Sequence, residues 1–212
     1  MANFPVINAS SKTEDGVAFR YLSTTQTDRG IQFNVKLPSS KTLQGWHFIN
    51  FYTGLGDFEC GVSACPSKFT GWRIFFRNHL KSGRDPVLQF KDGDTLNLKL
   101  YLDDRTGKVC FQVNFKEVDI TSIGTNFSNH NEFFPRVVAG AAQGKGEGVK
   151  WITEHTTVQM SGIQKKNSSK VWSSLTNGTP EYVNISINGE PKHKAAKVAG
   201  NHYKVSLVEP LT

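Results

Sequence analysis

From Thr95 to Leu102 the chain alternates without a break: Leu96, Leu98, Leu100 and Leu102 stand at every second position, with Asn97, Lys99 and Tyr101 between them. A period of two sends successive side chains to opposite faces, so the segment reads as a strand with one apolar and one polar side. The scheme recurs. Gln32 to Leu37 sets Phe33, Val35 and Leu37 against Gln32, Asn34 and Lys36. Trp72 to Arg77 sets Trp72, Ile74 and Phe76 against Arg73, Phe75 and Arg77. Val109 to Lys116 sets Val109, Phe111, Val113 and Phe115 against Gln112, Asn114 and Lys116. Trp46 to Tyr52 is a denser apolar run, suited to a strand covered on both sides.

Turn chemistry separates these runs. Lys91-Asp92-Gly93-Asp94 precedes the leucine strand, and Asp103-Asp104-Arg105-Thr106-Gly107 joins it to the next in a short hairpin loop, where Gly107 can take a positive φ. Asn177-Gly178 and Asn188-Gly189 are further turn signals. Helical periodicity is slight, with one short helix allowed between Glu117 and Ser128. The sequence therefore predicts an all-β, antiparallel sandwich of jelly-roll type. At 212 residues with fifteen Phe, it has the length and the aromatic bulk to fill the space between two sheets.

Residues 1–163 are expected to form the sandwich. The polar, basic stretch from Gln164 to Lys170 reads as a linker, and the remainder to Thr212 as a β extension packed on the sandwich, within one domain overall. No internal repeat is visible. Gly140 to Gly148 is glycine-rich, but Gly follows Lys145 where a phosphate-binding P-loop needs Ser or Thr, so a loop is expected there.

Chemistry-bearing motifs are sparse. The histidines make no HExxH pattern and the three cysteines no CxxC pair, so neither a metal nor any other cofactor is expected. If Phe58 to Ala64 is a strand, Cys60 and Cys65 point to opposite faces roughly 16 Å apart, and free thiols are expected. Asp92, Asp94, Asp103 and Asp104 are read as turn residues using their carboxylates for local hydrogen bonds. No Gly-x-Ser-x-Gly is present. The even-spaced acid pairs Glu117/Asp119 and Asp92/Asp94 each sit at a strand end or turn, which argues against a pair of hydrolase carboxylates.

The polar faces carry the functional expectation. Pooled, they bring Gln32, Asn34, Lys36, Arg73, Phe75, Arg77, Asn97, Lys99, Tyr101, Gln112, Asn114 and Lys116 together with no carboxylate among them. Amides and guanidinium groups hydrogen-bond hydroxyls and carboxylates, and aromatic faces stack on sugar rings. If the strands share one sheet, this is a surface for a glycan, an acidic one above all. The ligand-binding residues expected are Asn34, Lys36, Arg73, Phe75, Arg77, Asn97, Lys99, Tyr101, Gln112 and Asn114. The net charge of +7 fits an anionic partner or surface, and equally plain solubility.

The same residue types serve a polysaccharide lyase, with Tyr101 as base beside Arg73, Arg77 and His79. A membrane-targeting or toxin-like β-protein is a third reading. No nucleic-acid-binding signature is found, and no run of about 18 apolar residues spans a membrane. The first residues lack the basic and apolar regions of a secretory signal, and five Asn-x-Ser/Thr sequons decide nothing about compartment. An extracellular or cell-surface place is mildly favoured, and the oligomeric state is left open.

The stretch from Asp92 to Asn114 resembles the adjacent-strand hairpin of concanavalin A-like jelly rolls. Phe134-Pro-Arg-Val-Val-Ala-Gly, followed by a strand-like Val149–Gln159, is similar to the way such domains close. The likeness covers roughly Val17 to Ile163 and implies a lectin-like or polysaccharide-active sandwich. The galectin His-x-Asn-x-Arg, the glucanase Glu-x-Asp-x-x-Glu and the Arg-Thr-Glu-Leu-Arg and Gln-Ile-His boxes of alginate-lyase relatives are absent, so no functional residue is carried over from any of them.

Overall fold

The computed structural model describes residues 3–9, 17–22, 28–41, 47–55, 58–78, 80–126, 133–141, 151–156, 159–175, 179–183, 186–187, 190–191, 193–197 and 203–207, with side chains over 28–41, 49–55, 58–78, 80–126 (Pro86 apart) and 160–175. In chain order the strands are β1 (Asn3–Ala9), β2 (Val17–Leu22), β3 (Gly30–Lys36), β4 (His47–Leu55), β5 (Phe58–Ala64), β6 (Trp72–Arg77), β7 (Ser82–Phe90), β8 (Thr95–Leu102), β9 (Val109–Val113) and β10 (Lys116–Val118). After a single 3-10 turn at Thr121–Ile123 come β11 (Phe133–Ala141), β12 (Trp151–Thr156), β13 (Gln159–Lys166), β14 (Trp172–Ser174), β15 (Thr179–Val183), β16 (Ser186–Ile187), β17 (Glu190–Pro191), β18 (His193–Lys197) and β19 (Tyr203–Leu207).

Two antiparallel sheets make a sandwich. One has eight strands in the order β10-β9-β8-β3-β13-β19-β18, with β14 added beside β13. The other has seven, ordered β15-β2-β11-β4-β5-β6-β7. Their inner faces supply the core: Ile31, Phe33, Val35, Leu96, Leu98, Leu100 and Phe111 from the first, and Ile49, Phe51, Val62, Trp72 and Ile74 from the second, all buried. Phe51 and Trp72 pack with ring centroids 5.3 Å apart. Burial along β3, β6 and β8 alternates as the sequence pattern predicts, because one face of each strand lies against the opposite sheet.

Two expectations change. Val109–Lys116 is not one strand: Asn114 (φ 51°) and Phe115 (φ 66°) form a tight turn between β9 and β10, and Phe115 is 76% exposed rather than inward. The Asn114 side chain accepts a hydrogen bond from the Asn97 amide, and its own N–H bonds the Asn97 carbonyl, which pins the turn. The expected basic linker begins inside β13, since Gln164, Lys165 and Lys166 pair with both β3 and β14. Lys166 is buried there, its Nζ bonded to Asp104 at 2.6 Å and to the Leu102 carbonyl at 3.3 Å. The short helix allowed between Glu117 and Ser128 is present, as the 3-10 turn at Thr121–Ile123. The glycine-rich 142–148 segment lies outside the described residues.

Cys60 points into the core and Cys65, one residue past β5, lies on the other side, so the cysteines are free thiols as expected. Asp94 and Asp103 make the local hydrogen bonds expected of turn aspartates, whereas Asp92 bonds Trp72 and Asp104 bonds Lys166, both far along the chain. Asp103 Oδ1 accepts from the amides of Arg105 and Thr106 and from the Thr106 hydroxyl, and Gly107 holds φ at 66°.

Candidate ligand cleft on the seven-stranded sheet

The pooled polar face divides between the two sheets. Asn34 and Lys36 on β3, Asn97, Lys99 and Tyr101 on β8, and Gln112 on β9 share the outer face of the eight-stranded sheet, where Asn34 stands opposite Asn97 and Lys99 opposite both Gln32 and Gln112. Asn114 sits in the turn at its edge. Arg73, Phe75 and Arg77 lie on the outer face of the seven-stranded sheet, with the core between the groups. The constellation of Tyr101 with Arg73 and Arg77 needed by a lyase is therefore not assembled, and His79 lies outside the described residues. Alternation distinguishes inner from outer face; it carries no information on which sheet a strand joins.

The groups on the eight-stranded face bond one another. Gln32 donates to Gln164, Asn97 Nδ2 to Asn34 Oδ1 at 2.9 Å, and Gln112 Nε2 to the Tyr101 hydroxyl at 3.2 Å. The Lys99 ammonium stands 4.9 Å from the Tyr101 ring centroid and 4.8 Å from that of Trp172. Burial, with the charge of Lys166, holds the Lys99 amine below its ordinary pKa. Burial pushes the Tyr101 hydroxyl up to about 12. Most of these groups bond one another, Asn97 Oδ1 being buried with no partner among the described residues, and a ligand would have to break existing bonds to use this face.

The seven-stranded face is different. A cleft of about 440 Å³ opens over β4–β7. Phe75 lies in its wall, held edge to face by Tyr52 with centroids 5.6 Å apart. Asn50 and Ser63 from β4 and β5 line it, and the Asn50 Oδ1 is buried without a hydrogen-bond partner among the described residues. Around them stand Lys68, Arg77 and Arg84, and no carboxylate joins the described lining. Glu59, next to it, takes Nε and Nη2 of Arg77 on one oxygen and fixes that guanidinium. The Arg84 guanidinium lies 4.9 Å from the Phe69 ring centroid.

Local sequence explains the cleft. β7 opposes β6 with Gln89 against Arg73 and Arg84 against Phe75, so extra residues bulge out between them. Asp85 Oδ1 closes that bulge by accepting from the amides of Val87 and Leu88. A bulge on an edge strand bends it and re-aims its side chains, here Arg84. The turn after β5 is tied by the Cys65 carbonyl, which accepts from the amides of Lys68 and Phe69. Asn50, Lys68 and Arg84 were not singled out in the sequence. Lys68 belongs to a turn and Arg84 to a bulged strand, and neither shows alternation.

No protein-family model matches this sequence, and no curated protein matches it. Among solved structures, scytalido-glutamic peptidase with a transition-state analog inhibitor superposes with a TM-score of 0.63 at 13% identity, covering 92% of this chain and 100% of that one. SCP-B, a member of the Eqolisin family of peptidases solved with the tripeptide Ala-Ile-His, gives 0.62 at 13% identity over the same shares. The chain shares with these two structures an all-β architecture of two antiparallel sheets. A mixed-linkage-glucan GH16 enzyme of Bacteroides ovatus matches more loosely, with a TM-score of 0.42 at 13% identity over 76% of this chain and 84% of that one. At such identities the likeness is one of architecture, and the site rests on its own residues.

Among the described residues no group of three or more His, Cys, Asp and Glu is placed to hold a metal ion. No helix there is long and apolar enough to cross a membrane. The exposed large apolar side chains, Leu80, Val87, Phe115 and Val171, stand on four separate segments.

Proposed function

We propose that this protein is a non-enzymatic, lectin-like β-sandwich that binds acidic glycans in the β4–β7 cleft, on an extracellular or cell-surface polymer. The observation that carries the reading is the composition of that cleft. Lys68, Arg84 and the Glu59-paired Arg77 surround a pocket whose described lining has no carboxylate, beside the half-buried Phe75 ring and a buried amide oxygen that lacks a partner among the described residues. An anionic sugar answers all three features: its carboxylate or sulfate meets Lys68, Arg77 and Arg84, its ring packs on Phe75, and a hydroxyl donates to Asn50 Oδ1. This moves the binding surface expected from sequence onto Phe75 and Arg77 and away from the amide ladder.

The peptidases of the same architecture do not change the assignment. Glu59, a carboxylate close to the cleft, is engaged by Arg77. The test is a panel of neutral and acidic oligosaccharides measured across a salt series, with recovery of each ligand and of a denatured protein substrate checked for turnover. Binding confined to acidic sugars, weakened by salt, with every ligand recovered intact, is the expected result. Arg84→Ala, at an exposed position, lowers affinity about tenfold with little change in melting temperature, while Lys99→Ala on the opposite sheet leaves affinity unchanged. Wild-type affinity in Arg84→Ala, or cleavage of any substrate, overturns the reading.

A further inference from the structure

The β4–β7 cleft is not isolated. A second hollow of about 260 Å³ lies beside it, lined by Ser40, Lys41, Thr70 and Phe69. The two share Cys65 as a common wall. They are also linked by a stacked pair, because Arg84 borders the first hollow and its guanidinium lies over the Phe69 ring that borders the second. Lys41 is exposed at the far end. Asp92, a carboxylate outside the described lining, stands beside Ser40, its Oδ1 taking the Trp72 indole N–H at 2.9 Å and its other oxygen the Ser39 hydroxyl. Lys68, Arg84 and the Glu59-paired Arg77 thus border the first hollow and Lys41 the second, with no carboxylate in either described lining.

Resting on the glycan-binding reading above, we infer that the two hollows are consecutive subsites of one groove, and that the ligand is an acidic oligosaccharide long enough to cross the Cys65–Phe69 turn rather than a single terminal sugar. A chain with a charge on successive units meets each cation in turn, and the second subsite gains from being joined to the first, since its binding no longer costs a separate association. A nucleic-acid strand would also match the charges. Its bases, like sugar hydroxyls, carry donors for Asn50 Oδ1, so an oligonucleotide is one arm of the test.

The experiment is a length series of an acidic oligosaccharide, from di- to hexasaccharide, titrated against the wild-type chain, Lys41→Ala and Thr70→Trp, with a single-stranded oligonucleotide of similar charge alongside. Both substituted positions are exposed, so melting temperature serves as the check on folding. Wild-type affinity is expected to rise about tenfold or more with length. Both variants should remove most of that rise while binding the disaccharide as wild type does. Equal affinity at all lengths, or an equal loss for short and long ligands in the variants, overturns the groove but leaves the glycan cleft standing. Tighter binding of the oligonucleotide than of the hexasaccharide overturns the sugar assignment, and no binding at any length overturns both readings.

Discussion

Tyr52 and Phe75 meet edge to face across Gly61, which stands between them in register, their ring centroids 5.6 Å apart and their planes at 77°. Although Tyr52 belongs to an outward-facing position of β4, it is only 2% exposed. Gly61 makes this arrangement fit. A Cβ there would stand 2.0 Å from the Phe51 carbonyl oxygen and 2.5 Å from Tyr52 Cβ. Gly61→Ala is therefore expected to destabilise the fold by about 2–3 kcal/mol, read as a fall in melting temperature of roughly 5–10 °C. An unchanged melting temperature would show that the strands can part without penalty.

The Trp72 indole, wholly buried at the start of β6, finds its hydrogen-bond partner in Asp92, in the turn that leads into β8 of the other sheet. Burial alone would raise the Asp92 carboxyl, but the bonds from Trp72, Ser40 and Ser39 together outweigh it and hold the group below its ordinary value. A depressed folded-state pKa stabilises above the unfolded value, and that contribution is lost as pH falls through the folded one. Asp92→Ala leaves the indole N–H unpaired and should cost about 1–3 kcal/mol. Asp92→Asn keeps an acceptor, so it should cost less and also flatten the acid limb of the stability–pH curve. Equal losses in the two variants would mean that the hydrogen bond is not the cause.

Tyr101 supplies an alkaline prediction. Its hydroxyl is pushed up to about 12, first by burial and then by the negative charges that Cys110, Glu117 and Asp103 bring near it. The folded protein thus holds this proton where the unfolded chain, at the ordinary phenol value near 10, has begun to lose it. The stabilisation is complete below that unfolded value and disappears as pH climbs towards 12. In an ultraviolet titration the late-ionising phenol should vanish in Tyr101→Phe, and the loss of stability above pH 10 should become shallower. A wild-type titration curve in the variant would assign the late proton elsewhere.

Phe115 is a bulky residue in the left-handed region, at φ 66°, and its ring is 76% exposed. Such a backbone conformation costs an L side chain about 1 kcal/mol, and the two-residue turn with both φ values positive favours Asn-Gly. Phe115→Gly is expected to raise the melting temperature by roughly 2–4 °C, while Phe115→Ala, still strained, should change it little. A decrease in Phe115→Gly would mean that the ring contributes to folded stability.

Much of this architecture is written into the chain. Leu96 to Leu102, Phe33 to Leu37 and Trp72 to Phe76 all face the core as their spacing requires, because one buried face imposes a period of two on any strand that borders it. The Asp103 turn is equally local, its carboxylate finding its partners within three residues. Where local signals mix, the reading slips. Val113 and Phe115 continue an alternation that the Asn114 turn interrupts, and the bulge after Arg84 hides β7 altogether.

The site needed more. In the sequence, Asn34, Asn97, Lys99, Arg73 and Arg77 are alike as polar residues on the outer faces of strands. Only strand order decides that β3 and β8 are neighbours while β6 belongs to the opposite sheet, and that order is set by pairings between residues far apart in the chain, such as Asn34 with Asn97. Once paired, most amides of the eight-stranded face bond one another, Asn97 Oδ1 excepted. The cations beside Phe75, joined by Lys68 from a turn and Arg84 from a bulge, are left around a cleft. The sequence by itself determined which face of each strand meets the core, since that depends on neighbours two residues away. The tertiary structure alone decided which polar groups meet each other and which border a cleft, since that depends on strands brought together by the whole fold.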